Sequence, residues 1–239
     1  MATLTASALL QVWEQGQRAT HPERALLLLD ATGVGTSPGN LPVGRRDGLL
    51  LALRERLFGR AMVSVSPCPN CGEKLELPLD TRQFQVSVES REDFLLEQDG
   101  YRIRFRVPVG ADLVACAAEP NVVAAHRRLL SNCILGTSHH DNPIDLEDLP
   151  EGLINALAAT MSEADPGADL QVQAFCPTCN HHWQSTFDIV SFLWTEVQDW
   201  ALRILREVHA LASVYGWSER DILDLSPWRR RLYLQMVGQ

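Results

Sequence analysis

The chain has 239 residues, with 30 acidic and 21 basic side chains, so its formal net charge is −9. Hydrophobic residues make up 46% and charged residues 21%, a balance that excludes wholesale disorder and predicts a sizeable core. The apolar runs, such as residues 49–53, are far shorter than the roughly 20 residues that a bilayer span needs. The N-terminal stretch has no basic region and no cleavage site, so we predict a cytoplasmic product.

Helical patterns dominate the first 60 residues. They predict a helix within residues 6–31, with a second helical segment after His21-Pro22, and a further helix over 45–58. Gly59 is expected to end that last helix, because glycine tolerates the backbone conformation that follows a helix C-terminus.

Alternating stretches follow, and they predict short strands. Residues 62–66 and 74–79 flank one C-x-x-C motif, and residues 170–175 and 183–187 flank another, so each motif is predicted to form the turn of a hairpin. Residues 101–107 alternate apolar side chains with arginines, which indicates a half-buried strand.

The remaining segments are predicted to be mainly helical. The predicted helices cover 112–118, 122–135, 149–164, 189–214, 222–225 and 227–236, and an acidic loop covers 136–148. We therefore predict an α+β, mainly helical fold. Its centre is a split zinc-ribbon-like module of short β-hairpins that carries four cysteines, with a helical insertion and a C-terminal helical region.

The predicted regions are 1–60, 61–188 with a helical insertion at about 110–165, and 189–239. Because the two halves of the central module are far apart in sequence, we expect one interleaved unit rather than domains in series.

The cysteines carry the clearest chemical signal. Four of the six form two C-x-x-C motifs, Cys68/Cys71 and Cys176/Cys179, each containing proline after the first cysteine. In a cytosolic chain such pairs indicate metal binding, and four thiolates suit a tetrahedral zinc ion. A site filled by four thiolates argues for a structural zinc, because a catalytic zinc keeps an open position.

Alternatives to this zinc site remain. Iron in a rubredoxin-like site would use the same ligands, and the four cysteines could also hold no metal. His181 and His182 follow the second motif and could replace a sulfur, although solvated or packing roles are the preferred interpretation. Cys116 and Cys133 lie among apolar neighbours and are predicted to be buried, inert thiols.

Charge is unevenly distributed. Between Leu129 and Leu202 there are eleven acidic side chains and no lysine or arginine. The one basic run lies near the C-terminus, where aromatic side chains alternate with arginines at helical spacing. We interpret this segment as a partner-binding surface formed by Trp217, Trp228, Arg229, Arg230, Arg231 and Tyr233.

Several segments together resemble a known family. They are residues 41–47 (LPVGRRD), 53–59 (LRERLFG), the two cysteine motifs, 187–194 (FDIVSFLW) and 215–234 (YGWSERDILDLSPWRRRLYL). These segments resemble the T-even-phage-type baseplate proteins of phage tails and phage-tail-like contractile injection systems. The resemblance extends from about residue 40 to the end of the chain.

The resemblance implies a non-enzymatic component or assembly factor of the baseplate hub, made in the bacterial cytoplasm and able to enter the particle. Its partners would be baseplate, hub or spike proteins; no nucleic acid, membrane or small-molecule substrate is expected. The alternative is a zinc-ribbon nucleic-acid-binding or regulatory protein, and a zinc hydrolase is a third interpretation. No motif for catalysis marks out a set of residues.

Overall fold

The computed structural model describes residues 4–35, 37–84, 91 and 93–237. In this part of the chain the helices are α1 (Ala6–Gly16), α2 (His21–Asp30), α3 (Val43–Phe58), α4 (Gly110–Ala117), α5 (Val122–Cys133), α6 (Glu151–Ala164), α7 (Ile189–Tyr215), α8 (Glu219–Leu223) and α9 (Pro227–Val237). The strands are β1 (Ala61–Pro67), β2 (Lys74–Asp80), β3 (Phe94–Gln98), β4 (Tyr101–Phe105), β5 (Ile134–His139), β6 (Asn142–Pro143), β7 (Gln171–Phe175) and β8 (His182–Thr186). The α+β, mainly helical prediction is confirmed.

The chain forms two compact units. One contains Met1–Gly35 and Ser191–Gln239, and the other contains Thr36–Val190. The N-terminal helices α1 and α2 therefore belong with the C-terminal helices rather than with α3. That the three predicted regions form one interleaved unit stays a prediction.

In the first unit, α1 and α2 pack beside α7. Trp13 Nε1 donates a hydrogen bond to Gln198 Oε1 at 2.7 Å, which ties α1 to α7. The core of this unit is formed by apolar side chains. In α1 and α7, leucine, isoleucine and valine recur at helical spacing, so they lie on the side of each helix that faces this core. Its buried members are Leu10, Ala201, Ile204, Val208, Leu211, Ile222 and Leu223.

In the second unit, an antiparallel sheet with the order β3-β4-β5-β6 covers a second core. The alternation in β4 puts Ile103 and Phe105 on the buried face, where both are fully inaccessible to solvent. Helices α5 and α6 cover this face. The buried members of the core are Ile103, Phe105, Leu130, Cys133, Leu149, Leu153, Leu157 and Met161.

The two predicted cysteine hairpins are present as separate two-stranded antiparallel sheets, β1-β2 and β7-β8. Both are connected to α3. At the end of α3, Arg54 Nη1 donates to the carbonyls of Gly59 (2.7 Å) and Ala61 (2.8 Å), which fixes the path into β1. Gly59, with φ of 91°, makes the turn that leaves the helix.

At its beginning, α3 contacts the turn that precedes β7. The backbone N–H of Gly44 donates to Asp165 Oδ2 at 2.8 Å. A Cβ at Gly44 would lie 2.0 Å from Asp165 Oδ1 and 2.8 Å from the backbone of Gly167, so only glycine allows this approach. One helix thus positions the bases of both hairpins.

Most predicted elements agree with the structure, with one clear correction. The sequence predicts a helix that ends at residue 135 and a loop over 136–148, but Ile134–His139 is a strand paired with β4. The chain then reverses at His140 and Asp141, both with positive φ, into β6. Pairing with the neighbouring strand outweighs the local helical pattern, because residues of mixed propensity adopt the structure that tertiary contacts favour.

Candidate metal centre

Each C-x-x-C motif forms the tip of its hairpin. Cys68 directly follows β1, and Cys176 directly follows β7. At the opposite ends of the hairpins, the rings of Phe84 and Phe187 stack with centroids 4.8 Å apart. The hairpins are therefore held together at their bases by α3 and this ring pair, so both tips lie at the far end from these contacts.

The two tips have the same backbone hydrogen bonds. In the first, Cys68 N–H donates to Glu73 O (2.8 Å) and Gly72 N–H donates to Cys68 O (2.9 Å). In the second, Cys176 N–H donates to His181 O (2.9 Å) and Asn180 N–H donates to Cys176 O (2.8 Å). The residue after each second cysteine has positive φ, 75° at Gly72 and 57° at Asn180, a conformation that glycine and asparagine adopt most readily.

The four sulfurs lie within 4.8 Å of one another. Between the tips, Cys68 Sγ is 3.7 Å from Cys179 Sγ and Cys71 Sγ is 3.6 Å from Cys176 Sγ. Zinc–sulfur bonds of about 2.3 Å in a regular tetrahedron place the sulfurs about 3.8 Å apart. The two distances between the tips therefore match this spacing, and the remaining sulfur pairs lie within 4.8 Å.

Burial divides the cysteines by their position in the motif. The first of each pair is buried, Cys68 at 2% and Cys176 at 0% exposure, while Cys71 is exposed and Cys179 is half-buried. A buried donor on each hairpin thus lies next to an accessible one. The sulfur cluster has one side covered by protein and one side that solvent reaches.

The electrostatics of the cluster favour a bound cation. A hydrogen bond from the Asn70 side chain, followed by one from the His181 backbone N–H, lowers the pKa of the Cys179 thiol to about 6. The Glu73 backbone N–H lowers the pKa of Cys71, but desolvation and the three other sulfurs outweigh it and raise that pKa to about 12. Neighbouring thiolates repel one another, so the four thiols do not all lose their protons easily. A cation among them compensates this repulsion and favours the thiolate form.

Sequence reasoning did not single out Asn70. It lies in the first motif, and its side chain lowers the pKa of Cys179, a cysteine of the second. The available signal was a polar side chain between the first pair of cysteines, which has no packing role at an exposed turn.

His181 and His182 lie outside the sulfur cluster. His181 stacks against Trp183 with ring centroids 5.9 Å apart, and His182 is tilted against Phe175 at 4.6 Å. Within the described ranges, the one group of potential metal ligands that converges on a point is Cys68, Cys71, Cys176 and Cys179.

The two remaining cysteines are in other parts of the second unit. Cys133 is fully buried in the core, and burial raises its pKa to about 12. Cys116 is half-buried, and its thiol donates to the carbonyl of Ala125 at 3.4 Å. Burial raises the pKa of Cys116 as well, so both thiols are protonated near neutral pH.

The predicted partner-binding residues separate into two groups. Trp217 and Tyr233 are half-buried and pack edge to face with centroids 4.9 Å apart. Arg230 is 5% exposed, and its Nε donates to Glu207 Oε2 at 2.7 Å. By contrast, Trp228 is 67% exposed, and Arg229 and Arg231 are also exposed.

In the described ranges, none of the helices combines the length and apolar character needed to cross a lipid bilayer.

Comparison with known protein families gives a match over most of the chain. The family model described as T4 bacteriophage base plate protein matches residues 8–194, which is more than half of the chain. The match includes all four cysteines of the cluster, and it ends before the segment 215–234 on which the resemblance also rested. No curated protein and no solved structure matches the chain.

Proposed function

The chain belongs to the T4 bacteriophage base plate protein family, and we propose that it is a non-enzymatic structural component or assembly factor of a baseplate hub. The hub would be that of a contractile tail or a phage-tail-like injection system. The observation that carries this proposal is the family match over residues 8–194. Its partners would be other baseplate, hub or spike proteins, met in the bacterial cytoplasm where the particle assembles.

We further propose that the four cysteines hold a structural zinc ion. Four thiolates are a donor set for zinc or iron, whereas calcium and magnesium prefer oxygen ligands. We favour zinc over iron because zinc has no redox chemistry and a structural role requires none. Four protein ligands fill the tetrahedral shell of zinc and leave no position for a substrate. Cys68, Cys71, Cys176 and Cys179 would hold the ion, and its contribution would be to folding.

The ion would act as a staple between distant parts of the chain. Cys71 and Cys176 are separated by 104 residues, and closing a loop of this length costs about 5 kcal/mol of chain entropy. The contacts of α3 and the Phe84–Phe187 stack share this cost with the metal. In an assembly protein, such a staple would keep a fixed shape while partners are added.

Purified particles distinguish a component from an assembly factor. The gene cluster that encodes this chain would be expressed intact and with the gene for this chain deleted, and the particles would be counted by electron microscopy. Loss of complete particles in the deletion supports a role in the baseplate, and unchanged particles would contradict it. Mass spectrometry of intact particles then shows whether the chain stays in the particle.

The zinc proposal has its own test. Elemental analysis of the purified full chain is expected to give about one zinc per chain. One iron per chain would identify the rubredoxin-like alternative, and no metal would overturn the staple.

A further inference from the structure

Helix α9 has two faces of different character. Its inner face carries Arg230, Tyr233, Leu234 and Val237; the last three pack against the core of the first unit. Its outer face carries Trp228, Leu232 and Met236, which are 67%, 37% and 60% exposed. We call these three residues the α9 ridge.

The ridge is continuous along the helix. Its members are spaced by four residues, so they lie on one side and extend over about 12 Å. Exposed single apolar side chains are ordinary, but a tryptophan, a leucine and a methionine in one row form a patch of the kind used for protein contacts. Tryptophan is also the residue most enriched among those that dominate binding energy.

Positive charge lies on both sides of the ridge. With about 100° between successive residues, Arg229 falls on one side of Trp228 and Arg231 on the other. Neither guanidinium forms an ion pair within the described ranges. Both charges are therefore available to a partner.

The inner contacts fix the direction in which the ridge points. The Arg230–Glu207 ion pair connects α9 to α7, with side-chain exposures of 6% and 23%. Trp217 and Tyr233 pack edge to face beside Tyr215. A partner would thus meet a preformed helix face and would lose little entropy in ordering it.

We propose that the α9 ridge docks into an apolar groove, bordered by carboxylates, on a protein partner in the baseplate. This inference rests on the proposed function, and it adds the chemistry of the partner surface. The groove would take Trp228 as its anchor, as in other helix-in-groove contacts, and its acidic border would pair with Arg229 and Arg231. Charge complementarity sets the register, and the apolar row supplies the affinity.

A nucleic-acid partner fits this surface less well. Two free arginines neutralise two phosphates, which gives a salt dependence with a slope of only about −2. The remainder of the exposed face is apolar, whereas nucleic-acid interfaces are strongly basic.

The test uses the full chain co-expressed with each protein encoded beside it, followed by measurement of Kd for the pair that forms. Trp228→Ser combined with Met236→Ser is expected to weaken binding about tenfold or more. Arg229→Glu combined with Arg231→Glu should weaken it most at low salt and reverse the sign of its salt dependence, because glutamates would then face the acidic border. Thermal unfolding should be unchanged, since these side chains are exposed.

Matched controls come from the exposed side of α7. Val214→Ser replaces an apolar side chain that is 57% exposed, and Arg203→Glu combined with Arg206→Glu reverses two exposed charges. Both controls are expected to bind within about twofold of the unmodified chain.

The outcomes separate the inference from the proposed function. If the unmodified chain forms a complex and the ridge variants bind equally well, the ridge proposal is overturned while the baseplate role stands. If the unmodified chain binds none of these proteins, both proposals fail. Ridge-dependent binding only to a random DNA duplex, to phosphatidylglycerol vesicles or to a second copy of the chain also overturns the ridge proposal.

Discussion

The indole ring of Trp194 occupies the space that a side chain at Gly16 would need. A Cβ at Gly16 would lie 2.0 Å from Trp194 Cη2. The guanidinium of Arg24 lies 4.7 Å from the centre of the same indole, and its Nε donates to the carbonyl of Gly16 at 3.0 Å. One contact therefore joins α1, α2 and α7, and it depends on the absence of a side chain at residue 16.

Gly16→Ala is expected to destabilise the first unit. The added methyl group would force the indole out of its place and weaken the cation–π contact with Arg24, at a cost of about 1–3 kcal/mol. Urea unfolding of the variant, followed by tryptophan fluorescence, measures the change. Gly152→Ala is the control, because this position of α6 is exposed and its Cβ would meet nothing within 4 Å, so it should be neutral or stabilising. Equal stability of both variants would contradict the steric role of Gly16.

Loss of one sulfur should release the metal. Cys68→Ser or Cys176→Ser removes a buried donor, so we expect the metal content to fall from about one per chain toward zero. The free energy of unfolding should fall with it, by several kcal/mol, because the hairpin tips lose their connection. Elemental analysis and thermal unfolding, each with and without a chelator, measure both effects.

Cys116→Ser is the matched control for these variants. Its thiol donates to the carbonyl of Ala125, a bond that a serine hydroxyl can also form, and it takes no part in the sulfur cluster. This variant should retain the metal. Full metal content in the Cys68 and Cys176 variants would argue that other residues bind the ion.

Asp165 should make stability depend on pH. Burial raises its pKa above the ordinary value of 3.8, although the Gly44 N–H and the charge of Arg46 oppose the shift. Between 3.8 and the raised value, the folded chain binds more protons than the unfolded chain, so the free energy of unfolding falls as pH rises through this window.

Asp165→Asn is expected to remove this dependence. The amide oxygen can still accept from Gly44 N–H, and no charge is buried. The variant should be about 1 kcal/mol more stable at neutral pH, and the difference should shrink as the pH falls toward about 4. Urea unfolding of the unmodified chain and the variant across this pH range measures the difference in stability. If the difference stays constant with pH, Asp165 is not the source of the pH dependence.

The three consecutive arginines of α9 should differ in their effect on stability. Arg230→Ala leaves Glu207 without its partner in a partly buried position, and we expect a loss of about 2–4 kcal/mol. Arg229→Ala and Arg231→Ala should change stability by less than about 0.5 kcal/mol, because both side chains are exposed. Chemical unfolding of the three variants measures these changes in stability. An equal loss in all three would contradict the separation of Arg230 from Arg229 and Arg231.

The cluster of four sulfurs could be predicted from sequence because its signal is local. Each C-x-x-C lies between two alternating segments, and the hairpins and their cysteines followed from those patterns. The long helix α7 could also be predicted from sequence, since its apolar spacing persists over most of its 27 residues. Strand β5 could not be predicted, because Ile134–His139 becomes a strand only when β4 lies beside it.

The role of Arg230 shows a second limit. In the sequence it is the middle member of a basic run and cannot be distinguished from Arg229 and Arg231. The structure separates them because Glu207, 23 residues away in the chain, reaches the inner face of α9. The contact between Gly44 and Asp165 joins residues 121 positions apart and has no local sequence signal either.

The unequal burial of the four sulfurs has a kinetic consequence. In the proposed metal site a competing chelator would reach the ion past Cys71 and Cys179, so exchange would begin on that side, while Cys68 and Cys176 would keep their bonds longest. The order of ligand release is then set by the fold, and the retained pair, one sulfur from each hairpin, would keep the tips together while the ion is exchanged. Exchange and unfolding would thus be separate events.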